Sequence, residues 1–392
     1  MPTVYVFGET RMTRAPDGTI RSHDSGVAGR AWTRGLDGVP GLGLAMRIDT
    51  APEGEVGDHI VDVEKVAPLP YYVGAKGMLT SLPALVRAID SAVAQADAVV
   101  ARLPGLIGLL AIHSAHRRGV PLAVEMVGDI REVLDAGSGG SVGRRLAPLA
   151  AAVTRDAMRK AGAARYVTRS TLQERYPVRD GVPTVGFSSV RLDPQWVVDP
   201  DTVTAATSAP CLVAMGSQEQ LYKGHDTLIK AMPSVLAEFP TTSLVLVGKG
   251  RMQGQLKDLA AEIGVADSVT FSGYLGDREA VRDLLDGATI FCMPSRTEGL
   301  PRALVEAMAR GRMALGSRAG GIPELISSEC LVDANDAPAW SAAIVNALRD
   351  DAFRVREGRR NIQEAATYTQ AALQEQTVRW RELVTALIGG RR

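Results

Sequence analysis

SRTEGLPRALVEAMARG, residues 295–311, is the stretch from which the organisation of the chain can be read outward. Its two glutamates, Glu298 and Glu306, stand seven residues apart around a Gly-Leu-Pro turn. Pro301 suits a first helical position, Ala303, Leu304, Ala307 and Met308 recur with helical period, and Gly311 is placed to end the helix. Glu298 therefore precedes a helix N-terminus. Glu306 lies roughly 7 Å further along the axis at ~1.5 Å per residue. The N–H groups of Gly299 and Leu300, with the positive end of the helix dipole, form a site for an anion such as a diphosphate. One carboxylate reaches forward from that site and the other back.

Apolar runs on either side extend the pattern. Residues 211–215, 243–247, 268–272, 289–293, 313–316 and 330–333 read as strands with helical patterns between them. An earlier series reads the same way at 3–8, 41–46, 59–63, 97–102, 121–127 and 164–168. Strands alternating with helices make parallel, doubly wound sheets, and two series imply two Rossmann-like domains. Residues 186–210 contain three prolines and little periodicity, which predicts a linker and hinge. The tail from Asn361 to Leu387 reads as one long helical pattern carrying Tyr368, Trp380 and Leu383. At 392 residues the chain is long enough for two α/β domains, each with its own core.

Six segments in order carry a resemblance: CLVAMGS (211–217), YKGHDTLIKAM (222–232), SLVLVGKG (243–250), VTFSGYL (269–275), FCMPSRTEGLPRALVEAMARG (291–311) and AGGIPELI (319–326). Together they resemble glycosyltransferase family four, the retaining group with the two-domain GT-B fold. The likeness extends over the whole C-terminal half. It implies an α/β GT-B architecture with an acceptor domain at 1–185, the linker at 186–210, a donor domain at 211–360 and a helix at 361–392 returning to the N-terminal domain. It also implies a hexosyltransferase that moves sugar from a nucleoside diphosphate sugar to an acceptor hydroxyl with retention, without metal or further cofactor. Bacterial surface-polysaccharide or glycolipid precursors and small-molecule natural products are the acceptor classes. A nucleotide-sugar epimerase of the same fold and a non-catalytic nucleotide-sugar binder are the alternatives.

The donor residues follow from the C-terminal segments. Strand 243–247 ends at Gly248-Lys249-Gly250, where glycines allow close approach to the backbone at the carboxyl edge of the sheet. As a dinucleotide fingerprint it fails, because the third glycine is Gly254, one residue late, and no acidic residue ends a following strand. Lys223, one of only seven lysines against 37 arginines, offers an ammonium to a pyrophosphate leaving group. The family's Arg after the strand's glycine is replaced by Ser217, which either bonds phosphate or caps the turn. Glu306 resembles the family's ribose ligand, and Glu298 the carboxylate that orients the transferred sugar. Tyr274 and Gly273 match the loop along the base, and Arg302 faces an anionic ligand from the helix start.

The acceptor half offers less. The loop 13–32 contains His23 and Ser25-Gly26, and PLAVEMV (121–127) runs into Gly128-Asp129 where the resemblance leads one to expect a His. Asp129 is a candidate for deprotonating the acceptor hydroxyl or for capping a helix. Arg102, ending DAVVAR, either meets acceptor or phosphate or forms an ion pair. Asp199-Pro200-Asp201 has the D-x-D form of a metal-held diphosphate site but lies in the linker, where a turn accounts for it.

Net charge is zero, which carries no nucleic-acid footprint. The distribution is uneven: residues 1–98 hold 9 basic and 12 acidic side chains, 99–185 hold 13 and 7. Arg117-Arg118, Arg144-Arg145 and Arg159-Lys160 belong to that excess and suit either a solvated face or an anionic membrane surface. The N-terminus has no signal-like pattern and no run is long and apolar enough to span a bilayer, so a cytoplasmic protein, with peripheral contact at the inner face of the membrane, is expected. Cys211, Cys292 and Cys330 lie in apolar runs without metal or disulfide spacing.

Overall fold

The computed structural model describes residues 2–390 apart from 24–26, 34, 51–56, 138, 187, 189, 191 and 205–208. The chain forms two compact units. The first comprises Met1–Arg131, Arg145–Ser189 and Gln374–Arg392, the second Glu132–Arg144 and Val190–Leu373. Both are mixed α/β with a parallel sheet, as the strand–helix alternation predicts.

In the first unit seven parallel strands run in the order Lys65–Leu69, Leu42–Thr50, Val4–Arg14, Ala98–Leu103, Leu122–Met126, Ala163–Tyr166 and Thr184–Gly186. Their central members are apolar on both faces because helices cover them, and Val4, Val6, Leu44, Met46 and Val100 form the core. The segment 59–63 departs from its reading as a parallel strand. Only His59–Val61 is extended, and it pairs antiparallel with Ile20–Ser22, which itself folds back on the end of Val4–Arg14. Ile60 is exposed there and Val61 alone is buried, so the apolar run marks an edge and not a core strand. Lys65–Leu69 and Thr184–Gly186 escaped notice because each buries a single apolar side chain completely.

The second unit has six parallel strands in the order Val269–Gly273, Ser243–Val247, Cys211–Met215, Ile290–Met293, Met313–Ser317 and Leu331–Val332. The order reverses between Cys211–Met215 and Ile290–Met293. Chain leaving the carboxyl ends of these neighbours departs to opposite sides and opens a crevice, the usual place for a ligand in such sheets. Residues 216–224 and 294–301 lie there.

Two readings of the connections are corrected. The described residues of 192–204 are packed into the second unit where the sequence predicts a linker: Trp196 is buried, Val198 N–H donates to Ala309 O at 3.0 Å, and Val203 packs against Gly311 and Gly358. The tail is two helices, Asp351–Ala366 and Gln374–Gly389. Between them Tyr368 is buried, and its carbonyl accepts from Leu192 N–H at 3.0 Å, so the chain turns where an aromatic and a backbone bond hold it. Gln374–Gly389 belongs to the first unit, where Trp380 and Val384 are buried and the Arg165 guanidinium lies 5.2 Å from the Trp380 ring.

Candidate functional site

Two loops at the switch point of the second sheet are locked by backbone proximity. Gly224 adopts φ +72°, and a Cβ there would stand 2.1 Å from Pro294 O. A side chain at 224 would therefore wedge apart the loops that carry Lys223 and Glu298. Arg296 holds the same pair of loops from the other side. Its guanidinium bonds both Asp226 carboxylate oxygens at 2.9 Å, donates to Asn335 Oδ1 at 2.7 Å and reaches Leu221 O, while its N–H donates to Tyr222 O at 2.7 Å.

The result is a close contact of the two charged candidates. Lys223 Nζ lies 2.5 Å from Glu298 Oε1, which also accepts from Ser295 Oγ at 2.8 Å. Ser295 is buried, and its carbonyl accepts from the buried Ser317 hydroxyl. Immediately beyond, helix Arg302–Ala309 begins behind Pro301, one residue later than its expected start, and Gly311 at φ +69° closes it. The N–H groups of Gly299 and Leu300 have no acceptor among the described residues, although Leu300 is buried. Gly320 packs beneath them: a Cβ there would stand 2.1 Å from Glu298 O, and Gly321 N–H donates to Gly299 O at 2.7 Å. An ammonium, a carboxylate and two unclaimed amide donors thus converge at one helix N-terminus, an arrangement able to bind a doubly charged anion beside a hydroxylated group.

Glu306 projects from the first turns of that helix, half-buried, with no hydrogen bond or ion pair among the described residues. Burial pushes its carboxyl above the ordinary value, against the opposing fields of Arg302 and Arg278. Arg302 is exposed four residues before it, and Arg278 stacks on Trp196 at 5.0 Å. An unpaired, partly desolvated carboxylate is suited to accept from vicinal hydroxyls.

The glycines of 248–250 have a different reason from the expected one. A Cβ at Gly248, φ +139°, would meet Gly216 O at 1.9 Å, and one at Gly250 would meet Gln218 C at 2.0 Å. The space that they leave is filled by residues 216–219, which bond across it through Gln218 N–H to Lys249 O at 2.9 Å. Ser217 caps its own turn, its hydroxyl accepting from Glu219 N–H at 3.3 Å. Tyr274 follows Gly273 at the end of its strand and is 67% exposed.

On the acceptor side the structure shows, for each described candidate, the packing role that the sequence left open beside the functional one. Asp129 is buried: it accepts from Arg131 N–H at 2.8 Å at the start of helix Ile130–Asp135, and from Arg175 at 2.7 Å and the Tyr176 hydroxyl at the end of helix Thr171–Arg175. Arg102 is likewise buried, 2.6 Å from Glu125, which also pairs with Arg165 at 2.7 Å. That triad lies across neighbouring strands and keeps Arg102 from a ligand. His23 is 70% exposed and pairs with Asp58 at 3.3 Å, a surface contact. Gly26 lies outside the described residues. Asp199 caps a short turn by accepting from Asp201 N–H at 2.9 Å.

Sequence reasoning missed four groups here. Ser295, Arg296 and Asp226 position the charged pair, and nothing in their spacing announced it. Gln218 is fully buried, and neither atom of its amide has a hydrogen-bond partner among the described residues. Its place two residues after Gly216, just beyond the strand end, was the available signal.

Residues 209–350 match the family model described as Glycosyl transferases group 1. Protein CapJ of Staphylococcus aureus is 26% identical over 344 residues, covering 86% of this chain and 85% of CapJ. A GDP-mannose-dependent monoacylated alpha-(1-6)-phosphatidylinositol monomannoside mannosyltransferase of Corynebacterium glutamicum is 34% identical over 161 residues, which is 39% of this chain and 42% of that enzyme. Among solved structures, sucrose-phosphate synthase from Thermosynechococcus elongatus superposes with a TM-score of 0.66 at 17% identity, over 98% of this chain and all of its own. Anabaena HepE in complex with UDP gives 0.65 at 16%, over 97% of this chain and 100% of that one. The architecture is that of these GT-B enzymes. Residues 209–350 thus match a group 1 glycosyltransferase domain, and the matches together support nucleotide-sugar-dependent glycosyl transfer by this chain.

Proposed function

We propose that the chain is a retaining, metal-independent hexosyltransferase whose donor diphosphate sits on the Gly299 and Leu300 amides beside Lys223. The observation that carries this reading is the 2.5 Å contact of Lys223 with Glu298 next to those unclaimed N–H groups. An ammonium has three donors, so Lys223 can serve Glu298 and a phosphate oxygen together. Glu298 then orients the sugar through its hydroxyls, and Glu306 accepts from the ribose. As the bond from C1 to the diphosphate oxygen breaks, its electron pair passes to that oxygen, where Lys223 and the two amides stabilise the charge. The acceptor oxygen attacks C1 from the same face and its proton passes to the departing phosphate oxygen. No side chain of the first unit is assigned as base, since Asp129 is spent on capping.

The acceptor is proposed to be a polysaccharide or glycolipid precursor, lipid-linked or free. CapJ and the phosphatidylinositol mannosyltransferase support that class by their names, and HepE supports a nucleotide donor by its bound UDP. Calorimetric titration with UDP, GDP, dTDP and ADP in EDTA identifies the base. Donor turnover in EDTA, followed by NMR of the product's C1, then checks metal independence and stereochemistry. Absolute dependence on a divalent ion, an inverted anomer, or a rearranged nucleotide sugar without release of nucleoside diphosphate contradicts the proposal.

A further inference from the structure

A cavity of about 590 Å³ adjoins the loops that carry Lys223 and Glu298, and the transfer chemistry leaves it unused. Its lining belongs wholly to the second unit. Leu221 and Arg296 form part of the wall, and they stand two residues before Lys223 and Glu298 in their respective loops. Ala319 forms another part, next to Gly320, which packs against Glu298 O. The cavity therefore begins within two residues, at most ~7 Å of chain, of the groups proposed to act on the donor.

The lining is polar and mixed in sign. Arg144 and Arg318 are exposed there and make no hydrogen bond or ion pair among the described residues. Asn335 accepts from Arg296 Nε at 2.7 Å through Oδ1, which leaves its Nδ2 to donate. Asp333 accepts from Asn335 N–H at 2.9 Å through one carboxylate oxygen. Both oxygens of Glu132 lie 3.0 Å from Gly320 N, and Asp135 adds a third carboxylate. The charge of Arg296 is matched by Asp226, so these three carboxylates stand against two guanidinium groups. A phosphate or other anion would meet that excess of like charge. Planar groups offering donors and acceptors side by side suit the vicinal hydroxyls of an uncharged sugar chain, and the volume lies in the ~300–1,000 Å³ range of pockets that bury ligands of several rings.

We propose that this cavity is a glycan subsite, holding sugar residues of an oligosaccharide acceptor one or two rings back from the hydroxyl that attacks. Arg144, Arg318 and Asn335 donate to its hydroxyls, and Asp333 accepts from them. The proposal rests on the transferase reading and deepens it: the acceptor is a neutral sugar chain of at least two residues, not a lone sugar or a natural product without sugars.

Binding of the fluorescently labelled full chain to an array of bacterial surface glycans tests it, with neutral and acidic series each present as mono-, di-, tri- and tetrasaccharides. Affinity should rise at least tenfold from the monosaccharide to the di- or trisaccharide of a neutral series. Arg318→Gln and Arg144→Gln, each removing an exposed and unpartnered guanidinium, should lower the oligosaccharide affinity about fivefold. Melting temperature and nucleoside diphosphate affinity should stay unchanged in both, which a merely structural role of either arginine would not predict. Equal binding of mono- and oligosaccharides, retention by acidic glycans alone, no retention on any glycan, or retention that both substitutions leave intact overturns the proposal. A parent chain that binds no nucleoside diphosphate in calorimetry is a separate failure: it removes the donor assignment, while the array, run without nucleotide, still decides the role of the cavity.

Discussion

Glu306, in the proposed donor site, couples stability to pH through burial. Its carboxyl is raised by burial, so in the window between its unfolded and folded pKa the folded state holds more protons, and stability falls as pH rises through that window. Above it the buried charge is a standing cost. Glu306→Gln should therefore melt higher than the parent at pH 7 and lose that pH dependence. If Glu306 accepts from ribose hydroxyls, the same variant binds nucleoside diphosphate at least tenfold more weakly by calorimetry. His225 has the opposite sign for a base: burial, aided by Lys223, lowers it to about 4. It is neutral in the fold, the unfolded chain takes up the proton first, and stability is lost as pH falls from about 6.5 to 4. His225→Gln should flatten the melting temperature across that range. Gln218, buried with an unpartnered amide, should be replaceable by Leu with a gain of about 1 kcal/mol in denaturant unfolding. A concurrent loss of nucleotide affinity would show that the amide is retained for ligand.

At the scale of elements, the site depends on loop-to-loop contacts that only glycine allows. Gly248→Ala places a methyl carbon 1.9 Å from Gly216 O and should cost several kcal/mol unless the 216–219 loop moves away. Urea unfolding reads the cost, and nucleotide affinity should fall with it. Arg296→Met leaves Asp226 without its bidentate partner and should destabilise by about 3–5 kcal/mol. The six strands of the second unit and the helix 302–309 were legible because they are strongly periodic and bounded by Gly and Pro. Lys223 and Glu298 were legible as types at a spacing. Their mutual contact was not, because Arg296 and Asp226, 70 residues apart, create it through tertiary bonds. The same limit explains Asp129. A strand-end Asp reads alike whether its oxygens face a ligand or cap helices, and Arg175 and Tyr176, which decide the matter, lie far along the chain. Gly248 and Gly250 were read as sites of close approach by a ligand, and in the structure the chain itself, at residues 216–219, approaches them.

Over the whole molecule, the last helix ties the end of the chain to the first unit. Trp380 is buried against Arg165, itself paired with Glu125 and through it with Arg102, so the tail helix covers the ion triad of the central strands. Trp380→Ala should cost about 3–5 kcal/mol, seen as a lower melting temperature of the first unit. The residues proposed to hold the donor all lie in the second unit, so the same variant should leave nucleotide affinity nearly unchanged where that unit stays folded. The central claim is that Lys223 and the 299–300 amides hold the diphosphate, and it makes a prediction that base recognition does not. Calorimetry of the matching nucleoside diphosphate and monophosphate, on the parent chain and on Lys223→Met, tests it most directly. The parent should prefer the diphosphate at least tenfold and Lys223→Met should lose most of that preference while keeping its monophosphate affinity. An equal preference in both proteins would contradict the account.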